Sequence, residues 1–594
     1  MSRLTEKISA AAAALKAILR HRQLILLVLG LVTGVIGAGA AVVFRDLIGL
    51  IQSLALGFSS ERVAGLAAGQ PWWRIMLAPA LGGLVVGLFI HYVMPGRRPQ
   101  GVPHVMEAVA LRSGRMGLGA GIGAALASAA AIGTGASVGR EGPVVHLGAS
   151  LSSWVAQRLH LSRALTLTLL GCGVASAIAA SFNAPIAGAF FALEVVVGHY
   201  ALSSFAPIVI ASVTGTIITR IYYGNFPAFS IPPRTIASFL EFPAFALLGI
   251  ICALIAIAFI KGTGAVEDGM KRLPVPPWTK PGIAGLAVGI VAIWFPQVLG
   301  VGYETNDAAI AEQYGLGLLL ALLVLKLSLS ALCLGSGFAG GVFSPSLVIG
   351  ALGGAAFGAI AGGAFPHLFS GQGAYAIVGM GAVAGAVLGA PISTILIIFE
   401  LTGNFTLTIA VMIGVVIASV ITRQVIGRSF FTEQLFRRGI SLEGGRETGL
   451  LRSRRVAEIM RHDFEKIPAE ARLPAVRARL QADPLGELFV VEPDGGDRFI
   501  GIITLADLGN AAFDTARDAE LTARDVMRRN PPLLPASADL EEARKAMEAS
   551  AEHQLAVVAD DDSRRLQGYV RERDVLAAYN AALMQARAEE RGEA

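Results

Sequence analysis

The sequence predicts an all-α polytopic membrane domain made of two inverted-topology halves with discontinuous helices, followed by a cytoplasmic α/β pair of small domains. Three observations predict it. Apolar runs recur from Leu24 to about Val425. Gly and Pro break those runs at matching places in two halves. From Arg454 the chain changes to charged sequence with short β-branched stretches.

The membrane part follows from composition. Of 594 residues, 54% are hydrophobic and 15% charged, too apolar for a soluble chain of this length. The 70 glycines fall mostly in the apolar part, where small residues let membrane helices pack closely. The three cysteines, Cys172, Cys252 and Cys333, all lie in apolar segments, so neither a disulfide framework nor a metal site is expected. Arg3, Lys7, Lys16, Arg20 and Arg22 precede the first apolar run. That run is long and no small-residue cleavage site follows it, so it reads as a membrane helix rather than a signal peptide. The positive-inside rule then puts the N-terminus in the cytoplasm, and Arg423, Arg428, Arg437 and Arg438 put the C-terminal domains on the same side. The net charge of +5 is explained by these flanks and calls for no nucleic acid. The expected organisation is a cytoplasmic segment 1–23, a membrane domain 24–440, a linker 441–453, small domains 454–515 and 521–583, and a fraying tail 584–594.

The segment Gly139-Arg140-Glu141-Gly142-Pro143 lies between two Gly/Ala-rich apolar stretches. A carboxylate at the centre of a bilayer costs about 3 kcal/mol, which marks it as functional. Pro143 suits the first turn of a helix. A helix N-terminus inside a membrane is an anion site, because its free N–H groups and its dipole both favour negative charge. Glu141 therefore sits where an anion would sit, as a gate would. Arg140 is adjacent but does not face it on a helix.

The second half echoes the first. Gly341-Val342-Phe343-Ser344-Pro345 answers 139–143, and Gly389-Ala390-Pro391-Ile392 answers Asn183-Ala184-Pro185-Ile186. Pro185 precedes Glu194 by nine positions, and Pro391 precedes Glu400 by nine. Matched helix breaks point to a midplane binding site built from discontinuous helices. Glu194 and Glu400 read as structural residues that cap or pair at a helix end.

Together these motifs resemble the CLC family of chloride channels and proton–anion exchangers over residues 24–440. The family's Gly-Arg-Glu-Gly-Pro signature is 139–143, with the associated His at His146. Its Gly-x-Phe-x-Pro signature is 341–345, and its Phe-Asn-Ala-Pro segment is 182–185. The resemblance implies a homodimer with one pathway per subunit. It makes Glu141 the gating carboxylate, displaced from the outer anion position when protonated. The implied anion-binding residues are Gln100, Gly101 and Val102 from the first signature region, and Gly139, Arg140 and Gly142 around the gate. Gly341, Val342, Phe343, Ser344 and Phe431 complete the set, with Phe343 acting through its backbone.

Three departures bear on mechanism. Gln100, in Pro99-Gln100-Gly101-Val102-Pro103, replaces the usual Ser, and Phe431 replaces the usual Tyr. Gln100 can donate through its amide; Phe431 cannot. Chloride is the default anion, with nitrate, fluoride or another small anion open. Val195 follows Glu194 where many exchangers have a second, proton-relaying Glu. This favours a voltage- or pH-gated passive chloride channel, with a proton-coupled exchanger as the alternative. Lys326, alone in an apolar run, is expected to snorkel or pair with a carboxylate. His104 and Glu107 lack a third ligand for a metal.

The tail repeats at 67 residues: Met460 answers Met527, and Asp507 answers Asp574. This resembles a tandem pair of CBS domains. The resemblance implies that Thr504, Asp507 and Asp574 hold a regulatory adenine nucleotide (ATP, ADP or AMP), with Arg571 at the second Thr position; a purely structural pair is the other reading. No other cofactor is expected. Two rival classes fare worse. A membrane zinc protease needs a motif such as His-Glu-x-x-His, which the nine histidines do not form. A magnesium transporter needs several inward acidic residues. No enzymatic activity is expected.

Overall fold

The computed structural model describes residues 22–591 apart from 199, 201, 225–228, 230–235, 441–450, 452–453, 484–485, 493–496, 514–517, 551 and 561–562. Most of the expected N-terminal segment and linker therefore lies outside the described residues. The chain forms two compact units, Met1–Ser441 and Leu442–Ala594.

The first unit is helical. Its first half contains α1 (Arg22–Leu56), α2 (Val63–Ala67), α3 (Trp72–Val93), α4 (Val102–Leu111), α5 (Leu118–Gly133), α6 (Glu141–Arg158), α7 (Arg163–Phe182), α8 (Pro185–Phe191) and α9 (Leu202–Tyr223). Its second half contains α10 (Phe242–Arg272), α11 (Lys280–Ala292), α12 (Tyr303–Ile310), α13 (Leu316–Ser336), α14 (Phe343–Ala364), α15 (Gln372–Leu388), α16 (Pro391–Thr402), α17 (Phe405–Ile426) and α18 (Phe430–Phe436). Among the described residues, eight helices are long and apolar enough to cross a membrane.

The helix breaks have one local cause in both halves. Asn183 ends α7 at φ +58° and Gly389 ends α15 at φ +67°. Asn and Gly are the residues that tolerate this left-handed conformation. A non-helical Ala follows, then a Pro in the first turn of the next helix, where its missing N–H costs nothing. The halves also pack alike. A Cβ on Gly148 of α6 would lie 2.5 Å from the Gly173 carbonyl oxygen of α7, and one on Gly350 of α14 would lie 2.3 Å from that of Gly379 in α15. Close backbone approach brings α7 and α15 into the centre, where they are buried nearly all round.

The soluble unit shows its repeat in strand register. β1 (Lys466–Pro468) runs parallel to β2 (Glu487–Glu492), which pairs antiparallel with β3 (Arg498–Thr504), and β4 (Arg528–Arg529) closes this sheet. β5 (Leu533–Pro535), β6 (Gln554–Val558) and β7 (Leu566–Arg571) repeat the first three. Ile467 faces Val490, and Leu534 faces Val557, each partner 67 positions on. The last helix, Glu572–Arg591, carries the chain helically through most of the stretch expected to fray.

Candidate functional site

The two halves meet backbone to backbone at their signatures. Gly139 N–H donates to the Gly341 carbonyl at 2.7 Å, and Gly341 N–H donates back at 2.6 Å. A Cβ on Gly341 would lie 2.8 Å from the Gly142 nitrogen. These glycines therefore serve contact between the halves. The N–H groups of Gly139 and Gly341, expected to face an anion, are satisfied by each other.

Beside this bridge lies a cavity of about 60 Å³. Its lining draws Gln100, Gly101 and Val102 from the start of α4, Glu141 and Gly142 from α6, Gly341, Val342 and Phe343 from α14, and Phe431 from α18. Three helices thus begin at one point, and their N-terminal dipole ends make it favourable to negative charge. The structure brings the sequence-predicted residues together here with three exceptions, Gly139, Arg140 and Ser344, which lie next to it.

Glu141 lines this cavity. Its carboxylate is buried and accepts the Ser344 N–H at 3.3 Å, the Ser344 hydroxyl, and the Tyr303 hydroxyl at 2.8 Å. A carboxylate from one half is thus seated on the N-terminus of α14 in the other. Sequence reasoning missed Tyr303 and gave Ser344 no hydroxyl role. The available signal for Tyr303 was its place directly after Gly300-Val301-Gly302, opening a short polar helix inside an apolar region.

Arg140 departs from its expected role. Its guanidinium bonds Glu61 at 2.8 Å and lies 4.7 Å from the Tyr303 ring centroid. It lines a separate cavity of about 400 Å³ with Arg45, Asp46, Glu61 and Tyr223. The cause is geometric: Arg140 is the residue before α6, so its side chain diverges from that of Glu141. Gln100 lines the small cavity, but its amide nitrogen donates to the Pro95 carbonyl at 3.4 Å. Gly101 N–H is likewise engaged, by His104 Nδ1 at 3.3 Å, and His104 Nε2 lies 3.0 Å from an Arg438 nitrogen.

A third cavity, of about 510 Å³, shares Pro99, Leu334, Gln434 and Arg438 with the small one. His91, Arg97, Arg98, Lys271 and Lys280 make it basic. The two wide cavities lie at opposite ends of α3. Arg74, near its start, bonds the Ala55 carbonyl beside Leu56 of the Glu61 cavity, while Gly87, Ile90 and His91, near its end, line the basic one. A helix of 22 residues spans about 33 Å, roughly a hydrocarbon core.

Two polar side chains are structural. Glu400 accepts the N–H groups of Ile186 and Ala187 at the start of α8, and Glu194 accepts those of Ile392 and Ser393 at the start of α16. Lys326 differs from expectation, neither snorkelling nor meeting a carboxylate. It is buried, and its Nζ donates to the carbonyls of Val298 and Gly300, bracing the turn that presents Tyr303. Among the described residues no His, Cys, Asp and Glu cluster fits a metal ion.

In the soluble unit the expected nucleotide residues hold protein partners. Thr504 donates its N–H and hydroxyl to Asp507 at 2.9 and 2.7 Å, and Arg528 lies 3.4 Å from Asp507. Arg461 grips Asp574 with two bonds, at 2.8 and 3.1 Å, and Arg571 adds a third. Arg461 and Arg528 are themselves 67 positions apart, so each copy clamps the other's aspartate. The guanidiniums of Arg461 and Arg571 hold the Asp574 carboxyl below its ordinary range.

Comparison with known proteins finds relatives for both units. A family profile for voltage gated chloride channels matches residues 82–423, and one for the CBS domain matches 456–513 and 523–581. The chain is 30% identical over 401 residues to the voltage-gated ClC-type chloride channel ClcB of Escherichia coli O157:H7, covering 67% of this chain and 95% of that one. It is 28% identical over 571 residues to chloride channel protein CLC-f of Arabidopsis thaliana, covering 90% and 67%. The crystal structure of a slow cyanobacterial Cl⁻/H⁺ antiporter has the same fold, with a TM-score of 0.63 and 23% identity over 70% of this chain and 98% of that one.

Proposed function

Because the chain belongs to the voltage-gated chloride channel family, we propose that it conducts small inorganic anions, chloride foremost, through the cavity at the starts of α4, α6 and α14, with Glu141 as a voltage- and pH-responsive gate. The observation that carries this reading is the Glu141 carboxylate seated on the α14 N-terminus. Carboxylate and halide bear the same charge, so donors that suit one suit the other. Protonation removes the competition and opens the position.

The reading favours passive conduction over proton-coupled exchange. Val195 is apolar and buried, and Glu194 is committed to capping α16, so neither supplies a relay from the cytoplasmic side. The assembly is a homodimer with one pathway per subunit, in the plasma or inner membrane, with both termini cytoplasmic. The Glu61 cavity, at the far end of α1, is then the outer mouth, and the basic cavity is the inner mouth. The CBS pair is a regulatory module, and the nucleotide reading gives Thr504, Asp507 and Asp574 to an adenine nucleotide. Such a ligand has to displace Arg461 and Arg528 from the two aspartates. Calorimetric titration of the full chain with ATP, ADP and AMP tests this, and three flat titrations overturn it.

Reconstituted protein in a chloride gradient, with and without a pH gradient, tests the transport reading. A Nernstian chloride reversal potential is expected. A potential that moves with pH makes the protein an exchanger. The gate is tested by Glu141→Gln, which is expected to give flux independent of external pH.

A further inference from the structure

A helix N-terminus alone holds any anion, but the Glu141 carboxylate is held by two hydroxyls as well. Tyr303 donates at 2.8 Å, and Ser344 donates with its hydroxyl in addition to its N–H. Tyr303 is itself fixed. Its ring meets Phe229 edge-on at 4.8 Å and lies beneath the Arg140 guanidinium. Arg140 is tied to Glu61, which also pairs with Arg45 at 3.1 Å. Tyr303 lines the outer cavity, and Glu141 does not. The phenol therefore stands between the outer mouth and the gate.

Resting on the reading of Glu141 as the gate, we propose that Tyr303 is a positioning residue that latches the ionised gate shut and sets the external pH at which it opens, with Ser344 as a second holder. The reason is a difference between protonation states. An ionised carboxylate accepts bonds from both hydroxyls, and hydrogen bonds to a charged form favour that form. Removing a donor favours the protonated, displaced form. The other titratable or charged groups around the gate are Arg140 just before α6, His146 on α6, His104 on α4 and Arg438 in the cavity lining. Glu61 and Lys326 lie behind Tyr303.

Tyr303→Phe removes the hydroxyl and keeps the ring that Phe229 and Arg140 contact. In proteoliposomes of the full chain, the external pH of half-maximal chloride flux is expected to rise by about one unit in Tyr303→Phe, and by a similar amount in Ser344→Ala. In a Glu141→Gln background, Tyr303→Phe is expected to change nothing. Wild-type pH profiles, or profiles shifted downward, in both Tyr303→Phe and Ser344→Ala overturn the latch while a pH-independent Glu141→Gln leaves the gate standing. A Glu141→Gln variant that keeps the wild-type profile overturns the gate itself. Ser344→Ala reads the same latch from the opposite side of the carboxylate, so a poorly assembled Tyr303→Phe protein does not end the test.

Discussion

Glu400 accepts the N–H of Ala187 at 2.8 Å, and nine residues after each Pro the relation is mirrored, with Glu194 accepting the N–H of Ser393 at 2.7 Å. Each half thus caps the short helix that follows the other half's break. These helices have free N–H groups in a setting without water, so a carboxylate is the partner that satisfies two of them at once.

The capping pair predicts a stability effect. Glu400→Ala leaves the Ile186 and Ala187 N–H groups without their acceptor. A loss of about 1–2 kcal/mol is expected, read as a lower melting midpoint of the purified protein. Glu194→Ala is expected to match it. An effect on only one side would contradict the equivalence of the halves.

The bridge between signatures predicts a steric effect. A methyl group on Gly341 meets the Gly142 nitrogen, and a shift of either segment breaks the mutual N–H bonds of Gly139 and Gly341. Gly341→Ala is expected to cost about 1–3 kcal/mol and to abolish flux. Gly317→Ala, in α13 with nothing within 4 Å of the added carbon, is expected to be neutral or slightly stabilising. Thermal melts and flux assays of the two variants check the contrast.

The cavity predicts a change in anion affinity. Phe431 lines it with an apolar ring. Phe431→Tyr adds a hydroxyl donor, and chloride binding is expected to tighten about 2- to 10-fold, measured by calorimetric titration. An unchanged affinity would mean that the ring edge is not directed at the bound anion.

The soluble unit predicts a pH effect. Burial, with Glu552 nearby, pushes the Glu487 carboxyl up to about 7. Its folded-state value thus exceeds the ordinary 4.5, so its contribution is fully present below about 4.5 and lost as pH rises through about 7. Glu487→Gln is expected to flatten the pH dependence of the soluble unit's melting across this window and to raise stability above it, by about 1–3 kcal/mol. Calorimetry at several pH values checks the sign.

The sequence by itself determined the two-part architecture, the paired helix breaks, the 67-residue repeat and the gate candidate. These are local or periodic signals: a Pro after a left-handed residue, a carboxylate in an apolar run, a recurring Gly-x-x-x-x-x-Asp. The equal spacing of Gly148 after Pro143 and of Gly350 after Pro345 was also in the sequence, but a glycine among so many carries no mark of the helix it touches. Only the tertiary structure decided which donors meet which acceptors. Tyr303 and Glu141 are 162 positions apart, and Ser344 and Glu141 are 203 apart. Neither separation leaves a periodic trace. The same holds for Arg140, whose residue type suggested an anion site while its side chain turned to Glu61. A residue's chemistry can be read from its neighbours in the chain, but a hydrogen bond depends on direction, and direction is set by packing across the two halves.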